Sequence, residues 1–408
     1  MRAFRRLATG AAVGLSLLYA VDRLAKLLAT EHFLRRADPP PPPIWPPVTM
    51  LHPITRATEG RSALAANLRA CARLDYPAPL RHVLICDAAD AESLAIARAF
   101  RAAYPGRACD LVIVPAGPGP IAAKIAKLQA GLAGAGVPPE AGAVLCLIDD
   151  DIAPRPDALR RLVAALGAGG RAIGATFGLP CYTNWRTPWS SLLGLFNNAN
   201  FLLATTALTY LSEPPRITGH LVAYRWGTFA AAGGLAGLED QIDDDFALAR
   251  RLGARGARVV QTPILYDVDN DLAGWATFAR QLRRWFVLPR QAMAAELTPR
   301  EALTGLLVSA GLLLPPGAAA LALLARTRAA WGALAGCLGL FGLVALACER
   351  RYLRNPAPLP ARRWPLLPVV ALALPVQSAA ALLLGRDEIE WRGQRLRVAA
   401  GGRFERLP

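Results

Sequence analysis

Lysine, histidine and charge overall are what this chain has least of. Lys26, Lys124 and Lys127 are its only lysines, so the remaining 43 of its 46 basic residues are arginines. Charged residues make up 19% of the 408 and hydrophobic ones 54%, against roughly 25% and 45–50% in ordinary soluble domains. That balance excludes a mainly disordered chain, and the mean hydropathy of +0.30 points to one sizeable soluble domain joined to membrane segments. The four histidines, His32, His52, His82 and His220, are scattered without metal-site spacing. The cysteines are odd in number and form no Cys-x-x-Cys pair, which argues against a disulfide framework and a zinc module. They read as small core residues in a reducing compartment, and any metal is left to carboxylates.

What is abundant is arginine. The formal net charge of +16 calls for a partner, and the arginines crowd the ends of apolar runs rather than forming a basic face or a nucleic-acid module. The expected partner is therefore the lipid bilayer with its anionic headgroups, and not nucleic acid.

Residues 7–21 are uncharged, with Arg2, Arg5 and Arg6 before them and Asp22, Arg23 and Lys26 after. The amphipathic continuation and the lack of a small-residue cleavage site favour a retained membrane anchor, residues 1–30, over a cleaved signal. Residues 31–47 hold the prolines at 39–43, 46 and 47 and read as a stiff, extended spacer. From 48 to 300 short β-rich runs alternate with Ala/Leu/Arg stretches. Residues 48–51, 82–86, 111–114, 144–148 and 173–177 read as buried parallel strands, and 62–73, 91–103, 121–131 and 157–166 as the helices between them. Such alternation predicts a doubly wound α/β sheet with its ligand beyond the carboxyl ends of the strands.

Within 301–385 three uncharged runs, 302–325, 329–348 and 364–385, are each long enough to span a bilayer, and 386–408 forms a tail. Pro315 and Pro316 predict a kink or a re-entrant pair in the first run. Arg350, Arg351, Arg354, Arg362 and Arg363 crowd the second connection, which the positive-inside rule assigns to the cytoplasm together with the α/β domain. The uncharged stretch 192–211 contains Asn197, Asn198 and Asn200, which are costly against lipid, so an interfacial or re-entrant helix is expected there, with a buried helix as the alternative.

The chemistry concentrates in acids. Leu145-Cys-Leu-Ile-Asp149-Asp150-Asp151 is an apolar strand ending in three carboxylates, unfavourable unless a cation neutralises them. Strand alternation would put Asp149 and Asp151 on one side, where they can chelate Mg²⁺ or Mn²⁺ bridging the phosphates of a nucleotide. A solvated acidic turn is the bland alternative. A second cluster, Glu239-Asp240-Gln-Ile-Asp243-Asp244-Asp245, opens a helical run; capping explains one or two of its carboxylates, and another suits a general base. In Gln281-Leu-Arg-Arg284-Trp285 a guanidinium fork suits a diphosphate and an indole a sugar face or acyl chain, although an interfacial anchoring helix would carry the same residues.

In order and spacing, these features resemble the membrane-bound glycosyltransferases of families 2 and 21, the ceramide glucosyltransferases most of all. The matching residues are Leu74-Asp75-Tyr76-Pro77, Asp87, Lys124 after a Pro/Gly loop, Asp149 with Asp151, Gly178-Leu-Pro180, Thr218-Gly219, Gly233-Gly-Leu235, Asp243-Asp244 before Phe246, Gln281/Arg284/Trp285, and Glu390-Trp-Arg-Gly393 followed by Gly401-Gly402. The resemblance covers nearly the whole chain. It implies a GT-A fold with one N-terminal and about three C-terminal transmembrane helices, and inverting transfer of a sugar, usually from UDP-glucose, to a lipid hydroxyl such as that of ceramide. It also implies roles: Asp87 on the nucleoside, Lys124, Asp149 and Asp151 on the donor, the last two on Mg²⁺ or Mn²⁺, Asp244 beside Asp243 as base, and Gln281, Arg284 and Trp285 on the leaving group and acceptor. The chain departs from the pattern at Ala122, where an Asn is frequent, at Asp150, and in a trimmed loop that makes Asp90 a competitor of Asp87. A hopanoid or diacylglycerol acceptor is the nearest alternative. A processive polysaccharide synthase would need more spans than four, and a non-catalytic membrane scaffold would have little reason to keep the acids together. The Ala- and Arg-rich composition suggests a GC-rich bacterium and so an inner membrane.

Overall fold

The computed structural model describes every residue except 55–62, 116–123, 137–139, 141, 169–171, 392–393 and 408. Ser62, Ile121, Ala122, Arg392 and Gly393 of the sequence reading, with the Pro/Gly loop before Lys124, lie outside the described residues.

One eight-stranded sheet organises the α/β domain. Its strands are β1 (Val48–Pro53), β2 (Leu80–Asp87), β3 (Ala108–Val114), β4 (Val144–Ile148), β5 (Ile152–Pro154), β6 (Ile173–Tyr182), β7 (Leu221–Arg225) and β8 (Arg258–Val268). They lie in the order β3-β2-β1-β4-β7-β6-β8-β5. β1, β2, β3 and β4 pair in parallel, as their near-continuous apolar runs require, while β7 is antiparallel to both β4 and β6 and makes the sheet mixed. The expectation of a buried strand at 111–114 is corrected: β3 is the edge strand and stays half exposed except at Val114. Helices Leu64–Ala72, Ala91–Ala103, Lys124–Gly134 and Ala158–Gly167 cover the two faces. All seven cysteines are free thiols, and all but Cys109 are buried.

Two of the histidines meet inside this sheet. His52 Nε2 and His82 Nδ1 lie 3.1 Å apart, both buried, and burial pushes the pKa of His82 down to about 4 and that of His52 well below its usual value. A histidine depressed in the folded state leaves the unfolded chain holding more protons between its two pKa values. Stability is therefore full above about pH 6.5, the unfolded value, and is lost as pH falls toward 4. We expect the His52→Leu/His82→Leu double variant to hold its melting temperature better than the parent chain between pH 7 and pH 5, the difference between the two being the share of these histidines.

Among the described residues three helices are long and apolar enough to cross a membrane: Pro299–Ala325, Arg328–Tyr352 and Ala361–Leu384. A 3₁₀ turn at Gly311–Leu313 breaks the first just before its prolines. The N-terminal helix Arg2–Leu34 packs along the first two, with Thr9 hydrogen-bonded to Thr327 at one end and Glu31 paired with Arg351 at the other. Its internal charges are satisfied within the bundle. Arg23 pairs with Asp22 at 2.8 Å and donates to Asn200 at 3.1 Å, and Lys26 pairs with Asp22 at 2.6 Å and donates to the Val308 carbonyl.

The stretch 192–211 runs through helix Pro188–Leu195, a π-turn Phe196–Phe201 and helix Leu202–Leu208. Its three asparagines are buried and bonded. Asn198 donates to the Tyr182 carbonyl and to Glu349, and its oxygen accepts from the Tyr182 amide. The tail folds back as an antiparallel sheet, β9 (Glu388–Trp391), β10 (Gln394–Val398) and β11 (Phe404–Arg406).

Candidate active site

The site gathers at the carboxyl end of β4. The ladder to β7 pairs Ile148 with Leu221, and one residue further on the Asp149 amide donates to the His220 carbonyl, so Thr218-Gly219-His220 is laid beside the acidic triplet. The triplet itself is a turn closed by the Ile152 amide on the Asp149 carbonyl, not the extended strand end of the sequence reading. A turn, rather than strand alternation, relates Asp149 to Asp151. Asn67 ties the turn down by donating to the Asp150 carbonyl at 2.8 Å.

Lys124 opens the helix Lys124–Gly134 and is the centre of the arrangement. Its Nζ lies 3.1 Å from Asp149 Oδ1 and 3.5 Å from Asp244 Oδ2. Two acidic clusters far apart in sequence thus converge on one cation. Burial works against the charge of Lys124, but the carboxylates of Asp149, Asp244 and Asp245 outweigh it and keep the ammonium protonated.

The second cluster divides its labour. Asp243 caps the helix Asp244–Ala254, its Oδ1 accepting from the Phe246 amide at 3.1 Å, while its Oδ2 is buried without a hydrogen-bond partner among the described residues. Asp244 and Asp245 form the first turn, where burial raises both pKa values and mutual repulsion adds to the rise in Asp245. The sequence places Asp245 in the acidic cluster without a role of its own. It packs against Gly219, where any Cβ would collide with its carboxylate, so the glycine is there for close approach. The signal that could have found it is Thr218-Gly219 read together with a run of three aspartates.

Asp151 is buried close to Asp149, Asp150 and Arg284. Burial first, then Asp149 and Asp150, push its pKa up to about 8, while the nearby Arg284 guanidinium opposes the rise. A buried carboxylate held protonated by its neighbours is what a divalent cation would relieve, so Asp149 and Asp151 fit such an ion. Among the described residues no three His, Cys, Asp or Glu side chains gather as a closed metal cage. An ion here would have to complete its shell with water and substrate oxygens, as Mg²⁺ does on one or two carboxylates.

Helix Trp275–Val287 carries the third group. Gln281 is buried and accepts from Arg284 Nη2 at 2.9 Å, and the Arg284 guanidinium lies 5.7 Å from the Trp391 ring centroid on β9. Trp285 is half-buried against the main core. The tail sheet also holds the acidic loop, since the Ile242 amide donates to the Gly402 carbonyl and the Phe404 amide to that of Asp240. Both the Arg284 side and the Asp244 side of the site therefore lean on residues after 387.

Asp87 and Asp90 lie apart from this centre. Asp87, at the end of β2, is buried in an ion pair with Lys127, whose Nζ also donates to the Ile54 carbonyl, and Asp90 caps the helix Ala91–Ala103. His220 was passed over in the sequence because it has no metal spacing. Its carbonyl holds Asp149, its ring meets the Tyr266 hydroxyl at 3.3 Å, and burial lowers its pKa to about 4, so it is neutral. Tyr266 in turn presses on Gly178, where a Cβ would stand 2.5 Å from the Ile264 carbonyl oxygen.

A mannosyltransferase from Pyrobaculum calidifontis, solved with GDP-Man and Mn²⁺, superposes with a TM-score of 0.57 at 19% identity, covering 91% of this chain and 99% of that one. Glucosyl-3-phosphoglycerate synthase from Mycobacterium tuberculosis, solved with Mn²⁺, UDP and glucosyl-3-phosphoglycerate, gives a TM-score of 0.32 at 15% identity, over 59% of this chain and 79% of that one. No curated protein matches the chain. The first likeness shows a GT-A fold for the α/β domain. The sequence model for glycosyl transferase family 21 matches residues 13–404, and the chain, a glycosyltransferase by this evidence, belongs to that family.

Proposed function

We propose that the protein transfers a single sugar, glucose from UDP-glucose, to the hydroxyl of a membrane lipid, ceramide, with inversion at the anomeric carbon. The observation that carries the proposal is the bridge of Lys124 between Asp149 and Asp244, which joins a carboxylate of the donor side to one suited to a base. Asp149 and Asp151 would hold Mg²⁺ or Mn²⁺, which when bound neutralises the donor diphosphate. Asp87 or Asp90 is assigned to the nucleoside end.

In a single displacement the acceptor hydroxyl gives its proton to the Asp244 carboxylate as its oxygen bonds to the anomeric carbon. The bond from that carbon to the diphosphate breaks, and its electron pair leaves with the diphosphate oxygen. Burial raises the pKa of Asp244, which strengthens it as a base. Lys124 and Arg284 supply positive charge where the leaving group develops negative charge, and Gln281 orients Arg284. The half-buried Trp285 and the Trp391 ring offer flat apolar surface to the sugar or acyl chain. A base beside a membrane bundle also suits an acceptor that presents its hydroxyl while its tails stay in lipid. The reading places the α/β domain in the cytoplasm of a bacterium, against its inner membrane.

The test is purified protein in detergent with Mn²⁺ or Mg²⁺, a panel of UDP-sugars, and ceramide, diacylglycerol or hopanoid as acceptor, with products read by mass spectrometry. Ceramide carrying one hexose from UDP-glucose is the expected product. Product with diacylglycerol or hopanoid alone would overturn the acceptor, and polymeric product would overturn single transfer.

A further inference from the structure

A second polar cavity lies away from the Lys124 centre, at the seam between the membrane bundle and the α/β domain. It encloses about 540 Å³ and is lined by Arg35, Arg155, Arg161, Arg351 and Arg354. Only two carboxylates, Glu31 and Asp157, share the lining. The arginines come from three parts of the chain: the end of the N-terminal helix, the β5-to-helix connection with the helix after it, and the end of the span Arg328–Tyr352. Both helix ends stand at the same level, because Arg351 pairs with Glu31 at 2.8 Å. The cavity thus lies at the end of an apolar helix long enough to cross a membrane, on the side that carries the α/β domain.

Its charges are not used up internally. Arg155 is paired with Asp267 and donates to the Leu353 carbonyl, and Arg161 is paired with Asp38 and Asp157. Arg35 and Arg351 share the single carboxylate of Glu31. Arg354 has no partner among the described residues, and its backbone is in the left-handed region at φ 46, costly for a side chain with a Cβ. The strain is imposed by its neighbour: the Asn355 amide donates to the Glu349 carbonyl, and the buried Asn355 side chain donates to Glu349 and to the Tyr182 carbonyl. An unpaired arginine is thereby held at the cavity wall.

We propose that this cavity binds the phosphate headgroup of an anionic phospholipid of the surrounding leaflet and so docks the α/β domain on the membrane. Guanidinium forks match phosphate oxygens in pairs, and basic pockets between membrane helices at the interface select anionic headgroups. The site is separate from sugar transfer, so its test needs no donor or acceptor.

The full chain in detergent is titrated with phosphatidylglycerol, phosphatidylcholine or inorganic phosphate, with bound lipid counted by native mass spectrometry and melting temperature followed in parallel. Phosphatidylglycerol should stay bound and raise the melting temperature where phosphatidylcholine does neither. Arg354→Gln, exposed and unpaired, and Arg351→Gln should each weaken retention about five-fold. Equal retention of both lipids, or variants indistinguishable from the parent chain, would overturn the site. Inorganic phosphate displacing the lipid at matched concentration would overturn the lipid as its source.

Discussion

On the proposed reading, replacing Asp244 by asparagine should lower the turnover of sugar transfer by about 10²–10⁴-fold, the usual worth of a positioned base, and should leave UDP binding nearly unchanged. The amide keeps the volume and the first-turn position on the helix Asp244–Ala254 but cannot take a proton. It also withdraws one of the carboxylates that hold Lys124 charged, while Asp149 remains 3.1 Å away to do so. UDP binding, measured by calorimetry beside the turnover, separates loss of the base from loss of the donor site. Asp245→Asn is the companion variant. With its carboxylate packed on Gly219, Asp245 is the other candidate within reach of Lys124, and a larger loss there than at Asp244 would move the base by one residue.

The second large effect concerns the cation. Chelation of divalent ions should abolish transfer, and Mn²⁺ or Mg²⁺ should restore it. Asp151→Asn should cost about 10²–10³-fold in kcat in the presence of saturating ion, comparable to removing one preorganised electrostatic group. The substitution removes a carboxylate that its neighbours already oppose, so the folded protein should gain stability without metal even as it loses activity. A melting temperature that rises in the ion-free variant, together with lost metal dependence of UDP binding, distinguishes a ligand from a purely structural acid. Full activity after chelation would sink the metal reading.

Much of the fold could be read from residues alone. β4 is a continuous apolar run and β1 and β2 carry apolar segments buried on both faces, and the three C-terminal helices announce themselves as uncharged stretches. β7 and β8 were not seen. β7 is five residues long and passes directly into the helix Trp226–Ala231, while Gln261, Thr262 and Pro263 break the apolar pattern of β8. The C-terminal sheet alternates charged residues with Ile389, Leu396 and Val398, but its strands are only three to five residues long, and its apolar face is covered by the acidic loop and the helix Trp275–Val287.

The candidate site was legible as residue types and less so as geometry. Carboxylates at a strand end and at a helix start stand out locally, but their meeting at Lys124 depends on β7 lying beside β4, a long-range pairing that periodicity does not encode. Extended alternation failed for Asp149 to Asp151 because the chain turns there. The asparagines at 198 and 200 look costly because their partners, Glu349 and Arg23, lie far away in sequence, while Asn197 donates to the Leu193 carbonyl one turn back.

The measurement that goes most directly to the account is the anomeric configuration of the product, by proton NMR of lipid glycosylated from UDP-glucose, whose sugar is α-linked. One carboxylate base and one displacement predict a ceramide carrying a single β-linked glucose. An α-linked product would contradict the single displacement, and with it the role given to Asp244.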